Sequence, residues 1–199
     1  MGDKMANALL VSLGEVKDEI GLLPTESELD DILQSMLNEV FSLWEELTER
    51  TWELTSLTEY YNGQKNMSKL SMRNYPIISV TSIHDDAERI FGSDTEIPTA
   101  DIHFDSPNGI IFCGGFNVGF QNIKVIYTTG YTLETVPKWL KAIIKRQVAH
   151  WHRQRTANTS DLFSVSIHAG GGTTSFKSLH DNLLPDFYAA AQRNRRMGF

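Results

Sequence analysis

The stretch from Asn122 to Trp151 constrains the fold more than any other part of this 199-residue chain. Apolar and polar residues alternate from Ile123 to Tyr127, which predicts a half-buried strand. Gly130 marks a turn. A helix is then predicted from about Pro137 to Arg155, because the first position of a helix tolerates a residue without an N–H. The segment thus predicts architecture, and it contains no catalytic motif.

The helix predicted from Pro137 to Arg155 is amphipathic. Successive helical residues lie about 100 degrees apart, which places the apolar residues on one arc and the cations on the opposite arc. A basic arc of this kind is either solvated surface or a binding face, and periodicity leaves both open. The apolar arc contains Leu140, Ile143, Ile144, Val148 and Trp151, and the basic arc contains Lys138, Lys141, Lys145, Arg146 and Arg153.

Gln147 lies in the middle of the apolar arc. A buried amide side chain needs hydrogen-bond partners, because an unsatisfied buried polar group costs free energy. We therefore predict that Gln147 has a structural partner, either within the subunit or across an interface, and that it has no catalytic role.

Composition predicts a soluble globular protein. The chain is 41% apolar, which is ample for a hydrophobic core. Its only cysteine, Cys113, excludes an intrachain disulfide and a cysteine-based zinc site, which suits a reducing cytoplasm. No run approaches the roughly 18 apolar residues of a membrane span, and the N-terminus lacks a signal-peptide pattern. We expect an unexported protein with no membrane partner.

Charge is distributed unevenly along the chain. The formal net charge of -7 argues against general affinity for nucleic acid. Residues 1–60 contain 14 acidic and 3 basic residues, a net of -11, whereas residues 61–199 contain 11 acidic and 15 basic residues, a net of +4. This polarity either orients association between copies or partners, or reflects an acidic solvated helix.

Two helices are predicted before residue 52. A capping box at Ser12–Glu15 predicts a short helix that ends near Ile20. A second capping box at Thr25–Glu28 predicts a longer helix to about Thr51, in which apolar residues recur every three or four positions.

The middle of the chain predicts a small antiparallel β region. The pattern changes to period two after Trp52, and Asn62-Gly63 is a strong hairpin signal, so two antiparallel strands are predicted within residues 52–72. A β-branched strand follows from Ile77 to Ile83. Turn residues at positions 106–109 separate two further short strands.

Several clusters contain chemically active side chains, and each has a simpler structural interpretation. His150 and His152 lie two apart on a helix and point in nearly opposite directions, so they cannot share a metal ion. The segment His84–Asp86 is typical of a polar turn, and the Gly170–Gly172 triplet lacks the spacing of a phosphate-binding loop. Cys113 has no basic neighbour that would activate its thiol. We predict no catalytic, cofactor-binding or metal-binding residues.

Seven segments, taken in order, carry a resemblance to a known family: LGEVKDEIGL, LDDILQSMLNEVFSLWEELTERTW, EYYNG, LSMRNYPIISVTSI, KVIYTTGY, VPKWLKAIIKRQVAHW and LLPDF. They resemble the head-tail connector, or adaptor, proteins of tailed bacteriophages. The most specific pieces are YPIISV, and YTTGY followed by VP and a helix. The resemblance covers residues 10–155 and the start of the tail. The chain departs from the shorter members in residues 84–118 and near residue 170.

This resemblance implies a helical bundle with a small β portion. We accordingly predict an α+β fold, in which long amphipathic helices form a bundle with a small antiparallel β region and a C-terminal tail helix. A single adaptor domain is predicted over residues 1–180, with a helical core in residues 10–52 and 137–157 and a β-rich middle in residues 52–130. Residues 181–199 form the predicted partner-binding tail.

The resemblance also implies a function. Such a protein is a structural virion component without enzymatic activity or cofactor, located at the head-tail interface and assembled in the host bacterial cytoplasm. About a dozen copies form a ring beneath the portal protein and extend the DNA channel toward stopper or tail proteins. DNA is then only passing cargo.

Partner contacts are expected on the charged helices and the tail. Closed rings join one face of a subunit to a different face of the next, and a charge-polarised subunit supplies complementary faces. Related adaptors grip the portal with C-terminal segments, and this tail is basic with an aromatic end. The candidate partner-binding residues are Lys138, Lys141, Lys145, Arg146, Arg153, Phe187, Tyr188, Arg193, Arg195, Arg196 and Phe199.

Two other functions stay open at this point. The basic helix over residues 138–155 could belong to a DNA-binding module, which predicts binding that weakens steeply with salt. A small hydrolase or nucleotide-binding enzyme would need convergent titratable groups in a pocket, and the sequence reveals none.

Overall fold

The computed structural model describes residues 10–156 and 182–196. The chain divides into two compact units. The helical unit comprises residues 1–49 and 135–195, and the β unit comprises residues 50–134 and 196–199. The expected division into one adaptor domain and a separate tail stays a prediction.

Four helices form the described part of the helical unit: α1 Leu13–Ile20, α2 Asp30–Thr48, α3 Lys138–Thr156 and α4 Pro185–Arg193. α3 packs against the other three helices, and α2 also packs against α1 and α4. Their apolar faces meet around Trp44, whose ring lies edge-on to Phe187 and to Trp139, with centroid distances of 5.4 and 6.2 Å. The fully buried rings of Trp44 and Phe187 anchor the unit, because they combine large apolar burial with a favourable edge-on geometry, whereas Trp139 is partly exposed.

α3 confirms the helix that the sequence predicts from Pro137 to Arg155, to within one residue at each end. The centre of the predicted apolar arc is buried, at Leu140, Ile144 and Val148. The remaining two members of that arc, Ile143 and Trp151, are half-buried. Periodicity was sufficient here because a single stripe of apolar residues faces the core.

The two predicted capping boxes have different outcomes. Ser12 caps α1 as predicted, because its hydroxyl accepts a hydrogen bond from the Glu15 N–H and the Glu15 carboxylate accepts one from the Ser12 N–H. The helix predicted from Thr25 is wrong at its start, since α2 begins at Asp30 without a side-chain cap. Residues 24–25 form a turn instead, and the carboxylate of Glu26 accepts a hydrogen bond from the Leu23 N–H.

Six strands form the described part of the β unit: β1 Thr55–Gly63, β2 Lys69–Ser71, β3 Ile77–Asp85, β4 His103–Asp105, β5 Ile110–Phe112 and β6 Gly119–Thr129. They make two antiparallel sheets with the strand orders β1-β6-β3 and β2-β5-β4. Buried side chains from both sheets share one apolar core. β6 is the central strand of the β1-β6-β3 sheet, which has the longer strands.

The hairpin predicted around Asn62-Gly63 is wrong. β1 pairs with β6 and β2 pairs with β5, so the strands on either side of this dipeptide belong to different sheets. The Gly63 N–H donates to Oδ1 of Asn122 at 2.9 Å, and a Cβ on Gly63 would lie 1.8 Å from the carbonyl oxygen of Asn117. The glycine therefore permits a close approach between segments far apart in the chain, and not a local turn.

The other β predictions are confirmed. β3 contains the strand expected from Ile77 to Ile83, and β6 contains the strand expected from Ile123 to Tyr127. β4 and β5 pair with each other on either side of the turn at residues 106–109. These elements have strong local signals, namely β-branched runs and defined turn residues.

The predicted overall architecture, a bundle of long helices with a small β region, is wrong. Within the described ranges, α2 and α3 contain 19 residues each, but α1 contains 8 and α4 contains 9. About 38% of the structure is helix and 25% is strand. The physical reason is that residues 50–134 bury a core of their own under two sheets, with Ile83, Ile111 and Val125 fully buried. The β region is thus a unit in its own right.

Candidate assembly surface

Three sides of α3 carry the residues of interest. The core side contains the buried residues Leu140, Ile144, Gln147 and Val148. The α1 side consists of Lys141 and Lys145, which face the first helix. The open side consists of the exposed residues Lys138, Arg146 and Arg153.

The α1 side is already paired within the subunit. Nζ of Lys141 lies 2.9 Å from Oε1 of Glu15, and Nζ of Lys145 lies 3.5 Å from Oε2 of Glu19. The two lysine side chains are only 18% and 23% exposed. Two of the five α3 cations among the predicted partner residues therefore pair with α1 within the subunit, and their role in partner binding stays a prediction. Sequence reasoning missed this pairing, although both the glutamates and the lysines are spaced four residues apart.

The contact also affects the ionisation of Glu15. Partial burial by itself would raise the pKa of this carboxyl group. Hydrogen bonds from the Ser12 N–H and from Lys141, together with the lysine charge, outweigh that effect and lower the pKa. Glu15 is thus a negatively charged link between the N-terminal cap of α1 and the side of α3.

The open side is accessible to solvent. Nη1 of Arg146 lies 3.7 Å from Oδ2 of Asp186, but the two side chains are 52% and 82% exposed, so this pair contributes little to stability. Nε of Arg153 donates to the carbonyl of Ala149 in the same helix at 3.1 Å. Lys138 is exposed at the start of α3. The basic arc predicted from the sequence is therefore reduced to three accessible cations.

An acidic row on α2 is the counterpart of the open side. Asp31, Glu39 and Glu46 are exposed along this helix. α2 contains five acidic residues and no lysine or arginine. The candidate list named none of these residues, although the absence of any cation from residue 30 to residue 48 is visible in the sequence.

A groove of about 650 Å³ runs along one edge of this acidic row, within the helical unit. Ile32 and Met36 of α2 and Trp151 of α3 supply apolar lining, and Asp31 and Glu39 supply carboxylates. Arg155 of α3 also lines the groove. The surface beside α2 thus combines apolar side chains and carboxylates with one cation of the same subunit.

Gln147 on the core side has the structural partner that its position predicts. Nε2 of Gln147 donates to the carbonyl of Asn182 at 3.0 Å, and Oε1 accepts from the Leu184 N–H at 2.8 Å. Nε1 of Trp151 donates to the same Asn182 carbonyl at 3.0 Å. The partner lies within the subunit, and the network positions the chain that leads into α4.

The predicted partner residues of α4 divide between core and surface. Phe187 is fully buried against Trp44. Tyr188 is 42% exposed, and Arg193 is exposed in the last turn. α4 is therefore held by its phenylalanine and presents its tyrosine and arginine to solvent.

The three predicted partner residues that follow α4 differ in their surroundings. Nε of Arg195 donates to Oε1 of Glu49 at 3.0 Å. Arg196 is half-buried. Phe199, like the Gly170–Gly172 triplet, lies outside the described residues.

The residues considered for chemistry have structural surroundings. Asp86 accepts hydrogen bonds from the N–H groups of Phe91, Glu88 and Ile90, which lower its pKa. His84 and Asp85 lie within β3, so the turn predicted for His84–Asp86 is confirmed only at its last residue. Burial raises the pKa of the Cys113 thiol, so the group stays protonated at neutral pH.

In residues 10–156 and 182–196, no group of three or more His, Cys, Asp or Glu side chains is placed to hold a metal ion. No helix in the same ranges combines the length and apolarity needed to cross a bilayer.

Comparison with known proteins places the fold. No protein-family model and no curated protein matches the chain. A chain of the virion of a native gene transfer agent (GTA) particle matches with a TM-score of 0.59 and 13% identity, over 100% of this chain and 96% of that chain. A chain of the neck of an empty GTA particle, computed with C6 symmetry, matches with a TM-score of 0.58 and 15% identity, over 96% and 92%. A chain of the neck of a native GTA particle, computed with C12 symmetry, gives 0.53 and 14%, over 100% and 97%.

This chain shares the fold of those particle components. At 13–15% identity the likeness concerns the fold, and it extends over nearly the whole of each chain. The resemblance to head-tail connector proteins, predicted from the order of the sequence segments, is confirmed at this level.

Proposed function

We propose that this chain is a structural protein of a particle neck, a head-tail adaptor that forms a ring of identical copies under the portal. In that position it connects the DNA-filled capsid to stopper or tail proteins, and DNA passes through its channel as cargo. The observation that carries this proposal is the match of the fold, along nearly the whole chain, to chains of GTA virion and neck structures. The protein is assembled in the bacterial cytoplasm and resides at the head-tail interface of the virion.

The ring is supported by symmetry and charge. The two neck structures that match were computed with C6 and C12 symmetry. A closed ring repeats a contact between two different faces of the subunit. Helices α2 and α3 provide exposed faces of opposite sign, which suits a contact of this type.

A structural role without catalysis or cofactor also fits the polar groups that were candidates for chemistry. Asp86 caps a turn, Gln147 holds the approach to α4, and the Cys113 thiol is protonated. Each of these groups is accounted for by folding, so the proposal assigns it no reaction.

The portal contact is proposed for the surface of α4 and the residues that follow it. Tyr188 and Arg193 are exposed, whereas Phe187 is a core residue that holds the helix in place. Removal of the whole tail from Asp186 would therefore expose Trp44 and disturb the helical unit. A truncation after Asn194 is the cleaner variant.

The test combines the full chain with the portal protein of the same particle, followed by negative-stain imaging and native mass spectrometry. We expect ring-shaped density on the portal and a mass that corresponds to many copies of the chain. The truncation after Asn194 should bind the portal more weakly while it keeps its thermal stability. If the full chain neither binds the portal nor forms a ring on it, the adaptor proposal is wrong.

A DNA-binding module is the second candidate, because α3 contains six cations and no carboxylate. Its cationic surface is reduced, however, by the pairing of Lys141 with Glu15 and of Lys145 with Glu19. A DNA-binding module requires duplex binding that weakens steeply with salt. Fluorescence anisotropy with the isolated chain measures this, and tight, salt-sensitive binding would favour the module over the adaptor.

A further inference from the structure

The open charges of α2 and α3 have the same spacing. On α2 the acidic row is Asp31, Glu39 and Glu46, with intervals of eight and seven residues. On α3 the open side is Lys138, Arg146 and Arg153, again with intervals of eight and seven. At a rise of 1.5 Å per residue these intervals are about 12 and 10.5 Å, and both rows span the same arc of about 80 degrees.

The charges of these two rows are not neutralised by close ion pairs inside the subunit. Among the described residues, Asp31, Glu39 and Glu46 have no ion pair with a cation. On the open side, the one ion pair is that of Arg146 with Asp186, which is wide and exposed. The contrast with Lys141 and Lys145 is clear, since those lysines are half-buried against glutamates of α1.

We infer that the acidic row of α2 in one copy binds the open side of α3 in the next copy. This inference rests on the proposed ring and names the surface that joins its subunits. The two rows lie on different helices, so the contact is heterologous, and a subunit that uses one row keeps the row of opposite sign free for a further neighbour. An isologous contact of either row would place like charges together.

The matched spacing lets three pairs form at once. A parallel alignment pairs Asp31 with Lys138, and the following two acids then meet Arg146 and Arg153. An antiparallel alignment displaces the pairs by only about 1.5 Å, which long side chains absorb. Exposed ion pairs are individually weak, so the rows determine which faces meet and in which register more than they determine the total affinity.

The experiment uses three variants of the full chain. The first reverses the acidic row (Asp31→Lys, Glu39→Lys, Glu46→Lys). The second reverses the open side (Lys138→Glu, Arg146→Glu, Arg153→Glu). The third carries all six changes. Self-association is measured by sedimentation velocity at low and high ionic strength, and circular dichroism checks that each variant is folded.

Each triple variant should associate at least about tenfold more weakly than the natural chain at low salt, because three attractive pairs become repulsive. The third variant, with all six changes, should recover association, because its two rows are again complementary, with exchanged signs. An equimolar mixture of the two triple variants should also associate, in alternating order. High salt should weaken the natural contact.

A matched control reverses three exposed cations of the β unit (Lys65→Glu, Lys69→Glu, Arg89→Glu) and changes the net charge as much as the open-side variant. It should associate like the natural chain. The inference is overturned if the triple variants associate normally, if the control weakens association equally, or if neither the mixture nor the third variant recovers it. It is also overturned if the natural chain does not self-associate at low salt. Ring formation on the portal by such a chain would leave the adaptor function intact, so the two failures are distinguishable.

Discussion

Two sides of the same helix carry the same kind of charge and have different surroundings. On the α1 side of α3, Lys141 and Lys145 are half-buried and paired with glutamates of the same subunit. On the open side, Lys138, Arg146 and Arg153 face solvent. A basic helical face is therefore not one functional unit. Part of it holds the subunit together, and only the remainder is free to meet another molecule.

The largest expected effect is a loss of stability caused by a substitution on the core side of α3. Gln147→Leu should lower the free energy of unfolding by about 1–3 kcal/mol, because the partly buried Leu184 N–H loses its acceptor. Arg146→Leu on the open side should change it by less than about 0.5 kcal/mol. Urea denaturation measures both. Equal effects of the two substitutions would contradict the division of α3 into a core side and an open side.

Charge reversal on the α1 side comes next. Lys141→Glu with Lys145→Glu should lower the free energy of unfolding by about 1–2 kcal/mol, since two partly screened attractions become repulsions. Addition of Glu19→Lys should restore part of the loss through the pair at residue 145. The matched control, Lys138→Glu with Arg146→Glu, should leave the stability of the monomer nearly unchanged. A control as destabilised as the α1-side variant would remove the distinction.

The smallest effect is a pH dependence that arises from Glu15. Its pKa in the folded chain lies below the ordinary value of 4.5, so its contribution to stability is present above that pH. The contribution is lost as the pH falls through the lowered folded pKa. Glu15→Gln should therefore flatten the acid side of the stability curve, measured by thermal unfolding from neutral pH down to acid pH. An unchanged slope would mean that the contacts of Glu15 with Ser12 and Lys141 do not lower its pKa.

The sequence was sufficient where a signal is local. The apolar stripe predicted α3, the Ser12–Glu15 box predicted the cap of α1, and the turn at residues 106–109 predicted the pairing of β4 with β5. Each depends on residues within one or two helical turns or across one tight turn. The burial of Gln147 also followed from its position on the stripe.

The sequence was insufficient where contacts join distant segments. Gly63 meets Asn122 across 59 positions, and no local pattern distinguishes that close approach from a hairpin turn. The underestimate of the β region has the same origin, because sheet order depends on partners far apart in the chain. The pairing of Lys141 and Lys145 with α1 depends on how the two helices pack. The same packing determines which cations of α3 stay exposed.

Lysine acylation followed by mass spectrometry, on the free chain and on particles assembled from it, distinguishes the open side of α3 from its α1 side. If the open side meets another subunit and the α1 side only joins α3 to α1, Lys138 should be reactive in the free chain and become protected on assembly. Lys141 and Lys145 should react slowly in both states. Lys138 that stays equally reactive after assembly, or Lys141 and Lys145 that become protected only on assembly, would contradict this distinction.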